Sequence, residues 1–269
     1  MPPTQNRYQQ LLEHLFFDEA FGAYQQGMET VEFRREDFAK AADVLSIELP
    51  SNLGDVVYSV RFRTPMPDSI RATEPEGKVW TIEIVGRARY AFRLIPESKI
   101  EPRADLASVK IPDSTPEVIR LYAQGDEQAL LAIVRYNRLI DIFLGLTTYS
   151  LQNHLRTTVA SGAQIEIDEL YVGLDKRGGH HIIPVQAKGG NDKISVVQSA
   201  QDLTWCQERF PHLRPRLVSA QFMPGNRVAM FELTMEGDAL KVLEERHYTL
   251  VSTDEIDSAE IEAALSRGD

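Results

Sequence analysis

The sequence predicts an α/β chain, α+β overall, in two domains, and three observations carry that prediction. Apolar residues recur at helical spacing from Leu11 to Val60, then give way to strand-like alternation from Val79 to Leu94. Four prolines, Pro96, Pro102, Pro112 and Pro116, interrupt the next stretch of chain, and beyond them helices and strands succeed one another as α-β-β-α-β-β. At 269 residues the chain is long enough for two domains that each bury a core.

In the first domain, residues 1–100, Leu11, Leu12, Leu15 and Phe16, widened by Phe17, Phe21 and Tyr24, predict a helix ending near Gly27. After the short stretch Thr30-Val31-Glu32-Phe33, Glu36 and Asp37 open a second helix, since acids favour a helix start, with Phe38, Ala41, Ala42 and Leu45 on one face. A third helix comes after Pro50-Ser51-Asn52, with Leu53, Val56, Val57 and Val60 at i, i+3, i+4, i+7 and with Arg61 and Arg63 at its end. Val79 to Ile84 and Ala88 to Leu94 form a hairpin around Val85-Gly86-Arg87. On its second arm Tyr90, Phe92 and Leu94 alternate with an arginine face of Arg87, Arg89 and Arg93. Three helices and a basic hairpin resemble a winged helix-turn-helix. That resemblance implies a third helix in the DNA major groove and a hairpin along the phosphates. By charge and pattern alone, a small α+β domain with a solvated arginine face fits equally well.

Residues 101–116 are predicted to be a linker and 117–269 the second domain. There, Glu117 to Ala123 and a long apolar run from Asp126 through Phe143 are helical, and a short helix is predicted over Ser150 to Arg156. Strands Gln164 to Leu174 and His181 to Ala187 flank the turn Asp175-Lys176-Arg177-Gly178-Gly179. A helix from Ile194 to Arg209 precedes strands Arg216 to Met223 and Arg227 to Thr234.

Composition narrows the function classes. The formal net charge is −11, but the acidic stretch after Glu236 supplies most of it and Arg61 to Arg93 is net basic, so a local nucleic-acid surface stays possible. A lone Cys206 forms no intramolecular disulfide, and Cys/His clusters at zinc spacing are missing. The opening MPPTQNRYQQ is unlike a signal peptide, and no apolar run is long enough to span a membrane. The expectation is a cytoplasmic protein without membrane contact.

The residues that carry chemistry lie on the Gln164 to Ala187 hairpin. Glu166 and Asp168, two apart, point to one face of a strand; Gln186 and Lys188 share a face of its partner, and Gly189-Gly190 follow. The plain alternative is an exposed strand face, with Lys188 guarding a sheet edge. The apolar neighbours argue instead for central strands, where charges need partners. Elsewhere signals are weak. His180 and His181 point to opposite faces, His154 has no partner at ligand spacing, and Cys206 is most simply a core thiol.

Asp168, followed eighteen positions on by Gln186-Ala187-Lys188, resembles the PD-(D/E)XK nuclease superfamily in the Gln-x-Lys form of Mrr-type restriction endonucleases. The likeness spans roughly residues 117–234. It implies a restriction-endonuclease-like αβββαβ core with a mixed sheet and Mg²⁺-dependent hydrolysis of double-stranded DNA, with Mn²⁺ able to substitute. It further implies a catalytic set of Asp168, Gln186, Lys188 and Glu166. Asp168 would be the principal metal ligand, with Gln186, Glu166 and Asp141 as further ones. Lys188 would orient the attacking water or stabilise charge on the phosphate. A helix acid often completes such sites, Asp141 or Glu127 here, with Gln152 and Asn153 as neutral alternatives. Gln198 would face the site or the DNA backbone, joining Arg61, Arg63, Arg87, Arg89 and Arg93 as DNA contacts. Gln186 departs from the family's usual acid, which weakens metal binding. Cutting both strands implies a homodimer, and restriction-type defence follows from the resemblance alone. The competing expectations are a non-catalytic DNA-binding or regulatory protein that keeps the fold, and a protein-interaction module.

Overall fold

The computed structural model describes residues 7–49, 53, 56–57, 65–98, 100–122, 127–160, 164–189 and 194–266. Within the N-terminal part, α1 (Arg7–Phe17) turns Leu11, Leu12, Leu15 and Phe16 inward. It stops short of Gly27 because the chain folds back: the Gly22 and Tyr24 amides donate to the Leu15 and Phe16 carbonyls. Only glycine allows this return, since a Cβ at Gly22 would stand 2.5 Å from the Leu15 oxygen and from Val31 Cγ1. The stretch after it is a strand, β1 (Thr30–Arg34), burying Val31 and Phe33 on alternate positions. Helix α2 (Arg35–Leu45) starts where predicted, with the Arg34 amide donating to Asp37 Oδ2 at 2.7 Å.

A short α3 (Asp68–Arg71) precedes the hairpin β2 (Lys78–Gly86) and β3 (Arg89–Pro96), which turns at Ala88 with φ +57°. The sheet order is β1-β3-β2, antiparallel throughout. Phe16, Phe33, Phe38, Trp80, Tyr90 and Phe92 form its aromatic core. Arg61 and Arg63 lie outside the described residues, as does most of the predicted third helix; its Val56 and Val57 are buried in this core.

Proline-marked residues 101–116 are more than a connection. They contribute β4 (Ser108–Pro112), because Pro112 ends the strand rather than interrupting it. Next come α4 (Glu117–Tyr122), α5 (Glu127–Tyr136) and α6 (Leu139–Leu144). The single long helix of the prediction is broken where Arg138 adopts φ +50° and the buried Asn137 side chain reaches back to the Ile133 carbonyl at 2.9 Å.

The predicted helix over Ser150 to Arg156 is instead the middle of β5 (Thr147–Thr158), which pairs with β6 (Gln164–Leu174) from Thr147↔Leu174 to Thr158↔Gln164. Threonines at both ends favour the extended chain, and the ladder supplies backbone partners that a lone short helix lacks. Strand β7 (His180–Lys188), helix α7 (Val196–Arg209), the two-residue β8 (Arg214–Pro215), β9 (Leu217–Met223) and β10 (Arg227–Glu236) follow. The acidic stretch after Glu236, read from sequence only as charge, contains the 13-residue β11 (Ala239–Val251), and α8 (Ser258–Ser266) comes last.

The large sheet runs β4-β11-β10-β9-β7-β6-β5, with β8 against β7. β5, β6 and β7 are antiparallel, β7 and β9 are parallel across the α7 crossover, and β4 is parallel to β11. The fold is therefore α+β with a mixed sheet. Helices α5 and α6 cover one face, where Leu130, Val134 and Ile140 share a core with Val185, Ala187, Val218 and Met230. Trp205 and Cys206 of α7 cover the other face with Ile167, Leu170 and Ile182. Each fully buried aliphatic side chain stabilises the fold by about 1.5–3 kcal/mol. The two parts also touch: Ile84 of β2 packs against the α7 core, and Arg93 pairs with Asp238 at 3.0 Å.

Candidate active site

Strands β6 and β7 pair only from Leu174↔His180 to Glu169↔Val185. Past that point β7 keeps only its other neighbour, β9, paired from Val185↔Val218 through Lys188↔Gln221. Where β6 and β7 part, the Asp168 side chain takes the place of a ladder partner, its Oδ2 accepting from the Ala187 amide at 2.9 Å. Val185 and Ala187 point into the core under α5 and α6, so strand alternation sends Gln186 and Lys188 toward α7.

The start of α7 is set by Ser195, whose Oγ accepts from the Gln198 amide at 3.2 Å. One turn on, Ser199 and Asp202 lie on the buried stripe of α7 with Cys206. Gln186 Nε2 donates to Ser199 Oγ and to Asp202 Oδ2, both at 3.2 Å. Lys188, 6% exposed, donates to Gln198 Oε1 at 3.5 Å, and Gln198 Nε2 donates to the Glu166 carbonyl at 3.4 Å. Gln198 thus ties β6, β7 and α7 together at the point where the strands separate.

The two carboxyls nearest this point differ in environment. Burial raises Asp168 above the ordinary aspartate range, opposed by the Ala187 amide and the Lys188 ammonium. Burial raises Asp202 much further; the Gln186 hydrogen bond opposes that rise and the negative charge of Asp168 adds to it. Of the two, Asp168 is therefore the more easily ionised and Asp202 the one whose proton is held more tightly.

Gln186 Oε1, Asp202 Oδ1 and Ser219 Oγ, all buried, have no hydrogen-bond partner among the described residues. Ser219 is the register partner of Gln186 on β9. Leaving such a group unpartnered costs about 1–3 kcal/mol. A carboxylate from Asp168 beside the unpartnered carbonyl oxygen of Gln186 is a hard-oxygen donor set suited to Mg²⁺. Among the described residues no three His, Cys, Asp or Glu side chains gather as a metal cage, so the negative charge for a cation rests on Asp168.

The other predicted site residues fall in different places. Glu166 is bound across to β5, by His154 Nδ1 at 3.3 Å and Arg156 Nε at 3.2 Å, and acts on Asp168 through its charge. The Asp141 carboxylate is taken up by the Thr148 amide at 2.9 Å, the Thr148 hydroxyl at 2.8 Å and Arg138, so it stitches α6 to β5. The Glu127 side chain lies outside the described set. Gln152 and Asn153 are on β5 rather than on a helix. With its amide oriented to satisfy both neighbours, Asn153 donates to Glu169 and accepts from Arg135 on the α5 side of the sheet.

Glu169 is itself fully buried against Arg135 at 2.7 Å. His181 meets Asp175 at 3.5 Å, while its neighbour His180 is exposed. In Cys206 burial pushes the thiol up to about 12. Of the hairpin arginines, Arg87 is exposed at the turn, Arg89 pairs with Glu32 at 2.5 Å, and Arg93 pairs with Glu83 at 3.4 Å besides Asp238. Sequence reasoning missed Ser199, Asp202 and Ser219. The available signal was an aspartate spaced among Val197, Trp205 and Cys206 on an otherwise apolar helix stripe.

Among known proteins, no family model matches the chain and no solved structure is significantly similar to it. A stretch of 72 residues is 40% identical to an N-acetyl-D-glucosamine kinase of Erwinia tasmaniensis. That stretch is 27% of this chain, and the chain spans about a quarter (23%) of the curated relative it matches.

Proposed function

We propose that the protein is a metal-dependent DNA endonuclease whose active site is Asp168, Gln186 and Lys188. The observation that carries this reading is the parting of β6 from β7. It leaves an aspartate, an unpartnered amide oxygen and a lysine together on the α7 side of the sheet. The sequence of elements from α5 to β9, with three antiparallel strands, a crossover helix and a parallel fourth strand, supports a restriction-endonuclease-like core.

Asp168 and the Gln186 oxygen would hold a hard divalent cation, Mg²⁺ or Mn²⁺. When bound, it supplies Lewis-acid charge neutralisation at a phosphodiester. Asp168 must be ionised for this, and the Lys188 charge and the Ala187 amide both favour that form. Lys188, anchored by Gln198, presents its ammonium to the scissile phosphate, where it orients water and balances developing charge.

The N-terminal sheet, with β1 joining the β2–β3 hairpin, supports a winged-helix reading and a role in selecting DNA. Arg87, exposed at the turn, can lie along the DNA backbone, and the exposed Arg89–Glu32 pair is weak enough to yield to phosphate. Arg93 is committed to acids in both parts of the chain. Two such sites would act on the two strands in a homodimer.

Plasmid cleavage with Mg²⁺, Mn²⁺ or EDTA, on methylated and unmethylated DNA, tests the reading. Asp168→Asn and Lys188→Ala are each expected to lower the rate at least ~100-fold, a loss in the range for positioned charges. Cutting that survives either substitution would place the chemistry elsewhere. The neutral Gln186 favours a second reading, a DNA-binding protein that keeps the fold without cutting. It is the answer if the protein binds DNA in a salt-sensitive way yet Mg²⁺ neither stabilises it nor supports cleavage.

A further inference from the structure

Position 186 carries an amide where a carboxylate would bind a cation better, and the partners of that amide supply a reason. We propose that Asp202 and Ser199 are positioning residues for Gln186, holding its Nε2 on α7 so that Oε1 is the atom left for the cation. The inference rests on the nuclease reading for what Oε1 then binds, but the positioning itself is independent of it. Both N–H groups of Gln186 have acceptors 3.2 Å away, and both acceptors come from consecutive turns of one buried helix face. Asp202 is 1% exposed and Ser199 1%, so neither can exchange its partner for water. The amide supplies two donors here, one to Ser199 and one to Asp202. A glutamate at 186 supplies neither, so its two oxygens and those of Asp202 would have at most a shared proton between them in a buried site. Asp202 therefore selects glutamine at 186, whose register partner on β9, Ser219, likewise has a hydroxyl without a hydrogen-bond partner among the described residues.

The pair is tested in wild type, Asp202→Leu, Asp202→Asn, Gln186→Glu and the exchange Gln186→Glu/Asp202→Asn. In metal-free ¹⁵N-labelled protein, the Gln186 side-chain amide signals are identified by their loss in Gln186→Glu. They should exchange with solvent at least ~10-fold faster in Asp202→Leu, while Asp202→Asn, which keeps an acceptor, retains most of the protection. Gln186→Glu should lower the thermal midpoint by on the order of 5 °C. The exchange variant should recover at least half of that, since the amide introduced at position 202 can donate to the new carboxylate.

In cleavage, Asp202→Leu should raise the Mg²⁺ needed for half-maximal rate at least ~10-fold, and Asp202→Asn should restore most of it. Unchanged amide exchange in Asp202→Leu, or an exchange variant no more stable than Gln186→Glu, would overturn the positioning role. If Asp202→Leu does not fold, the Gln186→Glu comparison still decides. A wild type that never cuts would sink the nuclease reading and leave the exchange and stability results to judge the pair.

Discussion

At Asp202 a carboxyl is buried against an amide donor, and that has a consequence for stability. Its proton affinity is higher folded than unfolded, so the native state binds the proton more tightly. The stability this contributes is fully present below the unfolded aspartate value and is lost as pH rises through the folded one. Asp168, raised in the same direction, adds to the effect. In EDTA, urea unfolding followed upward in pH from the ordinary aspartate range should show stability falling as the folded group ionises, and Asp202→Asn should flatten the fall. Equal slopes in the two proteins would mean that Asp202 does not carry the proton. Residue-scale legibility in the sequence was uneven for a plain reason. Asp168, Gln186 and Lys188 are close in sequence and share one hairpin, so period-2 alternation places them together. Asp202 reaches Gln186 only because α7 crosses back over the sheet, and no local pattern reports that.

Among the elements, β5 and the α5–α6 break show where local pattern fails. Residues 150–156 have no clear apolar period, and only the register with β6 makes them a strand. Likewise β11 hides in an acidic stretch because one edge of its length is exposed: Val242 and Leu243 are 41% and 62% accessible. By contrast α2 and α7 were legible from a start signal and the helical spacing after it, and β6 and β7 from their apolar β-branched residues on either side of the turn over residues 175–179. The α5–α6 break depends on Asn137, 4% exposed, which donates to Thr115 Oγ1 at 2.8 Å and to the Ile133 carbonyl while accepting from the Ser114 amide at 2.7 Å. Asn137→Ala leaves these groups unpartnered and should cost about 1–3 kcal/mol in urea unfolding. A loss under ~0.5 kcal/mol, the usual surface range, would show that the break stands without it.

On the scale of the whole molecule, Ile84 is the apolar hinge between two cores, touching the N-terminal aromatic cluster and the α7 cluster alike. With Arg93–Asp238 beside it, this contact couples two parts that each have a core. Ile84→Asp should bury an unpaired charge at the seam and split one calorimetric transition into two, the N-terminal part melting first. A single transition that merely shifts would mean that the two parts unfold as one unit for other reasons.

The parallel pairing of β4 with β11 reaches beyond stability. Because residues 108–112 cover that flank, a chain shortened to begin at Glu117 would leave β11 with a long row of bare amides and carbonyls. Such a fragment would be sticky, recruiting the same strand from its neighbours. Any attempt to isolate the C-terminal half has to begin upstream of Ser108, on the far side of the prolines that look like a natural place to cut.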